Sequence, residues 1–202
     1  MAEHGASAIG STVAGHYGVE ATGVTITETS IAAAWNVQGD FARPGFVDAV
    51  QRGFGVTLPR APNSSFTGDT ITALWIGPAS WLLVAGGASP LDDFAIKRDA
   101  INAGGGALFD LTASRVAWTV SGPLAATVLS TGCPLDFHPR AFPAGTCAQS
   151  VLWHMNALIV KRDEAPAFTV MVARSLARDA WHALCQAAAQ HGYEIAAGTA
   201  FH

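Results

Sequence analysis

Charge is what this chain has least of: 11 Lys and Arg with 15 Asp and Glu in 202 residues, or 13%, where about a quarter is usual in a soluble domain. A compact body of 20.8 kDa exposes about 9,000 Å², so only about one charge stands on each 340 Å². Large uncharged surface must exist, and on a soluble protein such surface marks a place where another protein sits. Six Trp and ten Phe point the same way, because aromatic residues favour interface cores. The 39 alanines also dilute charge, and they do so without making a patch adhesive.

Other absences exclude whole classes of function. Lys and Arg are scattered and the formal net charge is -4, so no basic face follows a phosphate backbone and nucleic acid is not an expected partner. Three cysteines, Cys133, Cys147 and Cys185, form no C-x-x-C pair. That usage suits a reducing cytoplasm better than a secreted disulfide scaffold. Two uncharged stretches, 70–91 and 116–135, are broken by Gly77-Pro78 and Gly122-Pro123 and carry several hydroxyl residues, so neither offers the continuous apolar helix a membrane requires. The opening Met1-Ala2-Glu3-His4 lacks the basic-then-apolar pattern of an export signal.

What is present reads as alternating strands and helices. Residues 1–30, mostly Gly, Ala, Ser and Thr, form an N-terminal arm, disordered or laid along a partner. From Ile31 an apolar run of strand length precedes Pro44, and Phe46, Val47, Val50 and Phe54 then follow at helical spacing. Residues 71–76 and 81–85 make a hairpin about Gly77-Pro78-Ala79-Ser80. Ser89-Pro90-Leu91-Asp92 opens a helix that buries Leu91, Phe94, Ala95 and Ile101, and Gly104 to Gly106 stop it. A strand at 107–111 completes a β-α-β-β-α-β order, the split, ferredoxin-like arrangement. The second half nearly repeats it: strands at 116–120, 147–154, 158–162 and 168–173, a short helix carrying Leu124, Val128 and Leu129, and a second helix whose stripe is Leu176, Ala180, Trp181, Leu184 and Ala188. Gly192 ends that helix and residues 193–195 return as an edge strand. The expected fold class is therefore α+β, with a first lobe at 31–111 and a second at 112–202.

The motif search finds no reaction centre. Gly104-Gly105-Gly106 lacks the G-x-G-x-x-G spacing and a following helix start, so it reads as a helix stop and not a phosphate cradle. A Walker lysine and a G-x-S-x-G elbow are both missing from the sequence. His182 and Cys185 share a helix face, and Cys133 with His138 lies in a loop, so four zinc ligands could converge; the wide spacing favours a small buried hydrophobe for each Cys instead. Asp110, Asp136 and His138 stand at strand or loop ends where sites form, yet an Asp beside a turn commonly bonds its own backbone.

Longer segments carry a resemblance. Residues 108–115 (Leu-Phe-Asp-Leu-Thr-Ala-Ser-Arg), Val120-Ser121-Gly122-Pro123, Gly132-Cys133-Pro134-Leu135-Asp136, residues 142–149 (Phe-Pro-Ala-Gly-Thr-Cys-Ala-Gln) and Arg174-Ser175-Leu176-Ala177, with Trp75-Ile76-Gly77-Pro78 and Trp81-Leu82-Leu83, resemble the gamma subunits of heterotetrameric sarcosine oxidases from about Ile31 to Tyr193. More distantly, the Phe109-Asp110-Leu111 segment and the strand before Gly122-Pro123 look like the folate-binding aminomethyltransferase superfamily, which includes the glycine-cleavage T protein. The resemblance implies a complex of alpha, beta, gamma and delta subunits that oxidatively demethylates sarcosine with oxygen and tetrahydrofolate. It implies FAD, FMN, NAD, tetrahydrofolate and zinc in the other subunits and none in this chain, and no catalytic, cofactor-binding or metal residue here. It also implies contact mainly with the large alpha subunit, and cytoplasmic residence. The competing reading is a stand-alone folate-binding aminomethyltransferase-like protein. T proteins carry an acidic pair near the folate, and the corresponding stretch here, His154-Met155-Asn156-Ala157-Leu158-Ile159-Val160, has no carboxylate, which counts against that transfer by this chain alone. A homo-oligomeric binding module is a third.

Overall fold

The computed structural model describes Ile9, residues 13–87 and residues 93–201. In chain order its elements are β1 (Gly15–Tyr17), β2 (Val24–Ser30), β3 (Ala33–Gly39), α1 (Pro44–Phe54), β4 (Ser65–Thr67), β5 (Ile71–Gly77), β6 (Ser80–Ala85), α2 (Phe94–Ala103) and β7 (Gly106–Asp110). The second half supplies β8 (Arg115–Ser121), α3 (Ala125–Ser130), β9 (Thr146–Leu152), β10 (Met155–Lys161), β11 (Ala167–Ala173), α4 (Ala177–Ala189) and β12 (Tyr193–Ala200). The chain divides into two compact units: residues 31–113 with the residues from Ala200 onward, and residues up to Ser30 with Ser114–Thr199.

The 31–113 unit is an antiparallel sheet in the order β4-β5-β6-β3-β7. Leaving aside the short edge strand β4, whose Ser and Thr give no strand signal, this is the ferredoxin-like order expected from the sequence. Helix α1 starts at Pro44, whose missing N–H costs nothing in a first turn, and ends where Gly55 takes φ +64 and donates its N–H to Gln51 O. It buries Phe46, Ala49, Val50 and Phe54 in the cluster with Trp35, Val37, Trp81 and Leu83. Helix α2 holds on more lightly: Ile101 is buried and Phe94 half-buried, while Ala95, expected inside, is exposed. The expected start at Ser89 to Asp92, with Leu91, lies outside the described residues.

The three glycines after α2 are explained by packing. Gly105 takes φ +85, and its N–H is donated to Asn102 O at 2.9 Å. A Cβ on Gly104 would stand 2.6 Å from Gly45 O. Gly106 faces Gly39 across the β3–β7 pair, and a Cβ on either would press the Phe46 ring, at 2.4 Å and 2.6 Å. These two glycines form the notch in which Phe46 lies.

The other unit corrects the sequence reading at its start. Residues 24–30, which composition assigns to an arm, form β2, and the seven-stranded sheet runs β1-β12-β2-β8-β11-β10-β9. Val24 and Ile26 are core residues, so this strand completes the sheet. β12 is likewise no edge strand; it lies between β1 and β2 and extends to Ala200. Helices α3 and α4 belong to a core of Ile26, Trp118, Val120, Leu129, Ile159, Val170 and Leu184. On the sheet's opposite face, Thr29, Thr119 and Thr169 form a hydroxyl ladder across β2, β8 and β11, with steps of 2.9 and 3.2 Å. β9 and β10 meet in a two-residue turn at Trp153 and His154, closed by Leu152 opposite Met155, where the apolar pattern predicts one strand through His154.

Candidate functional site

The acid and base candidates are each committed to their own loops. Asp110 Oδ1 accepts the Thr112 N–H at 2.9 Å, and Asp136 Oδ1 accepts the His138 N–H at 2.9 Å. His138 Nδ1 in turn accepts the Arg140 N–H at 3.2 Å. These are short-range turn bonds, two residues apart, of the kind Asp and Asn side chains make to hold a bend.

The four zinc candidates do not converge. Cys133 is buried in the core beside α3, His138 is in its turn, and His182 is exposed on α4. Cys185 is half-buried and receives the Tyr193 hydroxyl hydrogen bond. Burial pushes the Cys185 thiol up, against the smaller effect of that bond. Burial, then the donated bond to Cys185, hold Tyr193 at about 12, with Tyr17 stacked on it at 5.4 Å. Among the described residues no three His, Cys, Asp or Glu side chains are grouped to hold a metal ion.

A groove of about 600 Å³ opens beside α4 in the same unit, and no motif announced it. Its helix wall is built from Asp179, His182, Gln186 and Gln190, spaced three or four apart so that they share a face. Trp153 and His154 of the hairpin turn stand at its other side. Trp153 sits at φ +53, a left-handed conformation that costs a bulky side chain on the order of 1–2 kcal/mol. Gly132 makes room for it: a Cβ there would lie 2.4 Å from the indole Cε2, and the Trp153 N–H bonds Gly132 O at 2.6 Å. Part of the ring packs on the core while the residue stays partly exposed. Sequence reasoning missed this turn because Leu-Trp-His-Met contains none of the Gly, Asn or Asp that marks a hairpin.

Among the described residues, the large apolar side chains left exposed are Val13, Val19, Phe66, Ile96, Phe109 and Val151. On α2, Ala95, Ile96, Ala100 and Ala103 are all exposed. Among the described residues no helix is long and apolar enough to cross a membrane.

Comparison with known proteins adds to this geometry. Residues 38–190 match the model of the sarcosine oxidase, gamma subunit family. The chain is 29% identical over 148 residues to a sarcosine oxidase subunit gamma of Arthrobacter sp, a stretch covering 73% of this chain and 71% of the relative. It is 34% identical over 112 residues to the subunit gamma of Corynebacterium sp. (strain U-96), covering 54% and 53%. In fold it is similar to a chain of the heterotetrameric sarcosine oxidase from Corynebacterium sp. U-96 in complex with pyrrole 2-carboxylate, with TM-score 0.76 and 24% identity over 86% of this chain and 88% of that one. It is also similar in fold to the glycine cleavage system aminomethyltransferase T from Bartonella henselae, with TM-score 0.62 and 14% identity over 88% of this chain and 48% of that one.

Proposed function

Because the chain belongs to the sarcosine oxidase gamma subunit family, we propose that it is the gamma subunit of a heterotetrameric sarcosine oxidase and that its part in that oxidoreductase is structural. The complex converts sarcosine, oxygen and tetrahydrofolate into glycine, hydrogen peroxide and 5,10-methylenetetrahydrofolate. In this reading FAD, FMN, NAD, tetrahydrofolate and zinc reside in the alpha, beta and delta subunits, this chain contributes no catalytic or cofactor-binding residue, and its main contact is the large alpha subunit.

The observation that carries the structural role is the commitment of the side chains best placed for chemistry. Asp110, Asp136 and His138 each spend a hydrogen bond on their own turn, Cys133 fills a core, and Gly106 of the glycine triplet, with Gly39, seats the Phe46 ring. A fold can persist as a scaffold when its reactive groups have gone, since function resides in sites. The odd number of cysteines, with no C-x-x-C pair among them, supports a cytoplasmic location. Co-purification from the native host, with native mass and the flavin absorption spectrum, tests the proposal. The expected result is this chain in equal ratio with three others in a flavin-bearing complex. Turnover of an aminomethyl group to tetrahydrofolate by the isolated chain would replace the scaffold with a transferase, and a homo-oligomer without other subunits would point to a self-associating module.

A further inference from the structure

The groove beside α4 has a composition that its own fold does not explain. A hairpin of this length is ordinarily closed by Gly, Asn or Asp, yet a tryptophan is held there in a left-handed conformation, and Gly132 is kept bare to admit it. Trp153 covers part of the core, which accounts for one side of the ring. Its indole N–H donates to no described residue, and the ring is left partly open on the groove. Strain that local packing does not fully use is where a functional role is sought.

The rest of the lining specifies what fits. Asp179 brings a carboxylate, and Gln186, Gln190 and Thr131 bring carbonyl and hydroxyl acceptors. No Lys or Arg lines the groove. None of the Asp179, His182, Gln186 and Gln190 side chains makes a hydrogen bond or ion pair with a described residue. Ala183 and Ala187 keep the helix surface low between them. Asp179 also lies in the first turn of α4, where an acid suits the helix dipole, but that role places no demand on Trp153. An electron-rich indole face beside a carboxylate and amide carbonyls is the chemistry that recognises a planar cation. Guanidinium suits it better than ammonium, because it stacks on the ring while its fork of donors reaches the acceptors.

The geometry points to this groove as the seat of an arginine side chain presented by another subunit of the complex, an inference that rests on the subunit assignment proposed above. Tryptophan paired with arginine is also the composition expected of an interface hot spot. The test uses the full chain assembled with the other subunits of its complex. Trp153→Asn keeps a residue that tolerates the left-handed turn and removes the indole; its dissociation constant for the partner subunits is expected to rise about thirtyfold, with the melting temperature of the free chain changed little, because relief of the left-handed strain offsets the lost packing. Gln186→Glu and Gln186→Lys, at an exposed position, are expected to move assembly in opposite directions at low salt, the acidic variant tightening it and the basic one weakening it. Their difference should shrink as salt rises.

If Gln186→Glu and Gln186→Lys bind alike, or the Gln186→Lys chain binds tighter, or Trp153→Asn assembles like the unchanged chain, the groove does not hold a partner's arginine. If the unchanged chain assembles with no other subunit, the subunit reading itself falls and this inference falls with it.

Discussion

The fit of Phe46 into its glycine notch can be measured as an interaction energy. Gly39→Ala is the cleanest perturbation, because the three atoms nearest the added methyl, at 2.6 to 2.7 Å, all belong to the Phe46 ring. That ring has little room to withdraw. It is fully buried, Trp81 stands 6.0 Å away centre to centre, and the Cα of Gly106 lies beneath it. Alanine in place of a strand glycine ordinarily gains about 0.5–1 kcal/mol, whereas overpacking a core costs about 1–3 kcal/mol. The net expectation is a loss of about 1 kcal/mol. Phe46→Ala alone should cost about 3–5 kcal/mol through lost burial and a cavity. With the ring gone, the methyl of Gly39→Ala meets nothing it must displace and fills part of the space. The same change should then be neutral or stabilising, a coupling of about 1–3 kcal/mol.

Urea denaturation of the four chains, with amide exchange in β3, β7 and α1 to show which unit opens, would complete the cycle, and Phe46→Leu serves as a gentler partner if Phe46→Ala fails to fold. Additive losses, with Gly39→Ala costing as much without the ring as with it, would refute the notch and reopen a different role for the glycines after α2.

Three further outcomes follow from named contacts. Removing residues 1–30 takes away β2 with Val24 and Ile26, each worth about 1.5–3 kcal/mol of burial, and should leave the seven-stranded unit without protected amides, whereas loss of a mere arm would leave exchange unchanged. Thr119→Val breaks both steps of the hydroxyl ladder and strands the hydroxyls of Thr29 and Thr169, which are 3% and 2% exposed; a loss of about 1–3 kcal/mol is expected on thermal denaturation, with most of it recovered when all three become Val. Tyr193, raised to about 12, keeps its proton where the unfolded chain gives its own up near 10, so its contribution is complete below about pH 10 and is lost as pH climbs toward 12. With only two tyrosines in the chain, tyrosinate absorbance of a Tyr17→Phe variant isolates that titration, and ionisation at the ordinary value would contradict it.

The 31–113 unit was legible because its signals are local. Apolar spacing marked α1, Gly77-Pro78 marked the β5–β6 hairpin, and Pro44 marked a helix start. β2 was missed although Val24-Thr25-Ile26-Thr27, all β-branched, alternates apolar and hydroxyl side chains with the period of a strand. The surrounding Gly, Ala and Ser hid it, and its partners β8 and β12 lie about 90 and 170 residues further along. The Trp153 turn was illegible for a different reason. Its conformation is imposed by the Leu152–Met155 pairing and by space at Gly132, against the preference of the residue itself. The groove joins Thr131, Trp153 and α4, a juxtaposition that no sequence window contains.

The stretch from His154 to Val160, which has no counterpart of the acidic pair that the aminomethyltransferase resemblance implies, allows a final test of whether packing excludes an acid there. Met155, Ala157 and Ile159 face the core of the seven-stranded unit, and Leu158 and Val160 are buried as well. A carboxylate at any of these would cost several kcal/mol in desolvation. Asn156, however, is exposed in the middle of this run, opposite Val151 of the edge strand β9. Asn156→Asp should therefore shift stability by no more than about 1 kcal/mol, read as an almost unchanged urea midpoint. If it does, the fold accepts an acid there, and packing does not account for the asparagine. A loss of several kcal/mol would mean that packing at this position excludes the carboxylate, and the missing acid would then say nothing about function.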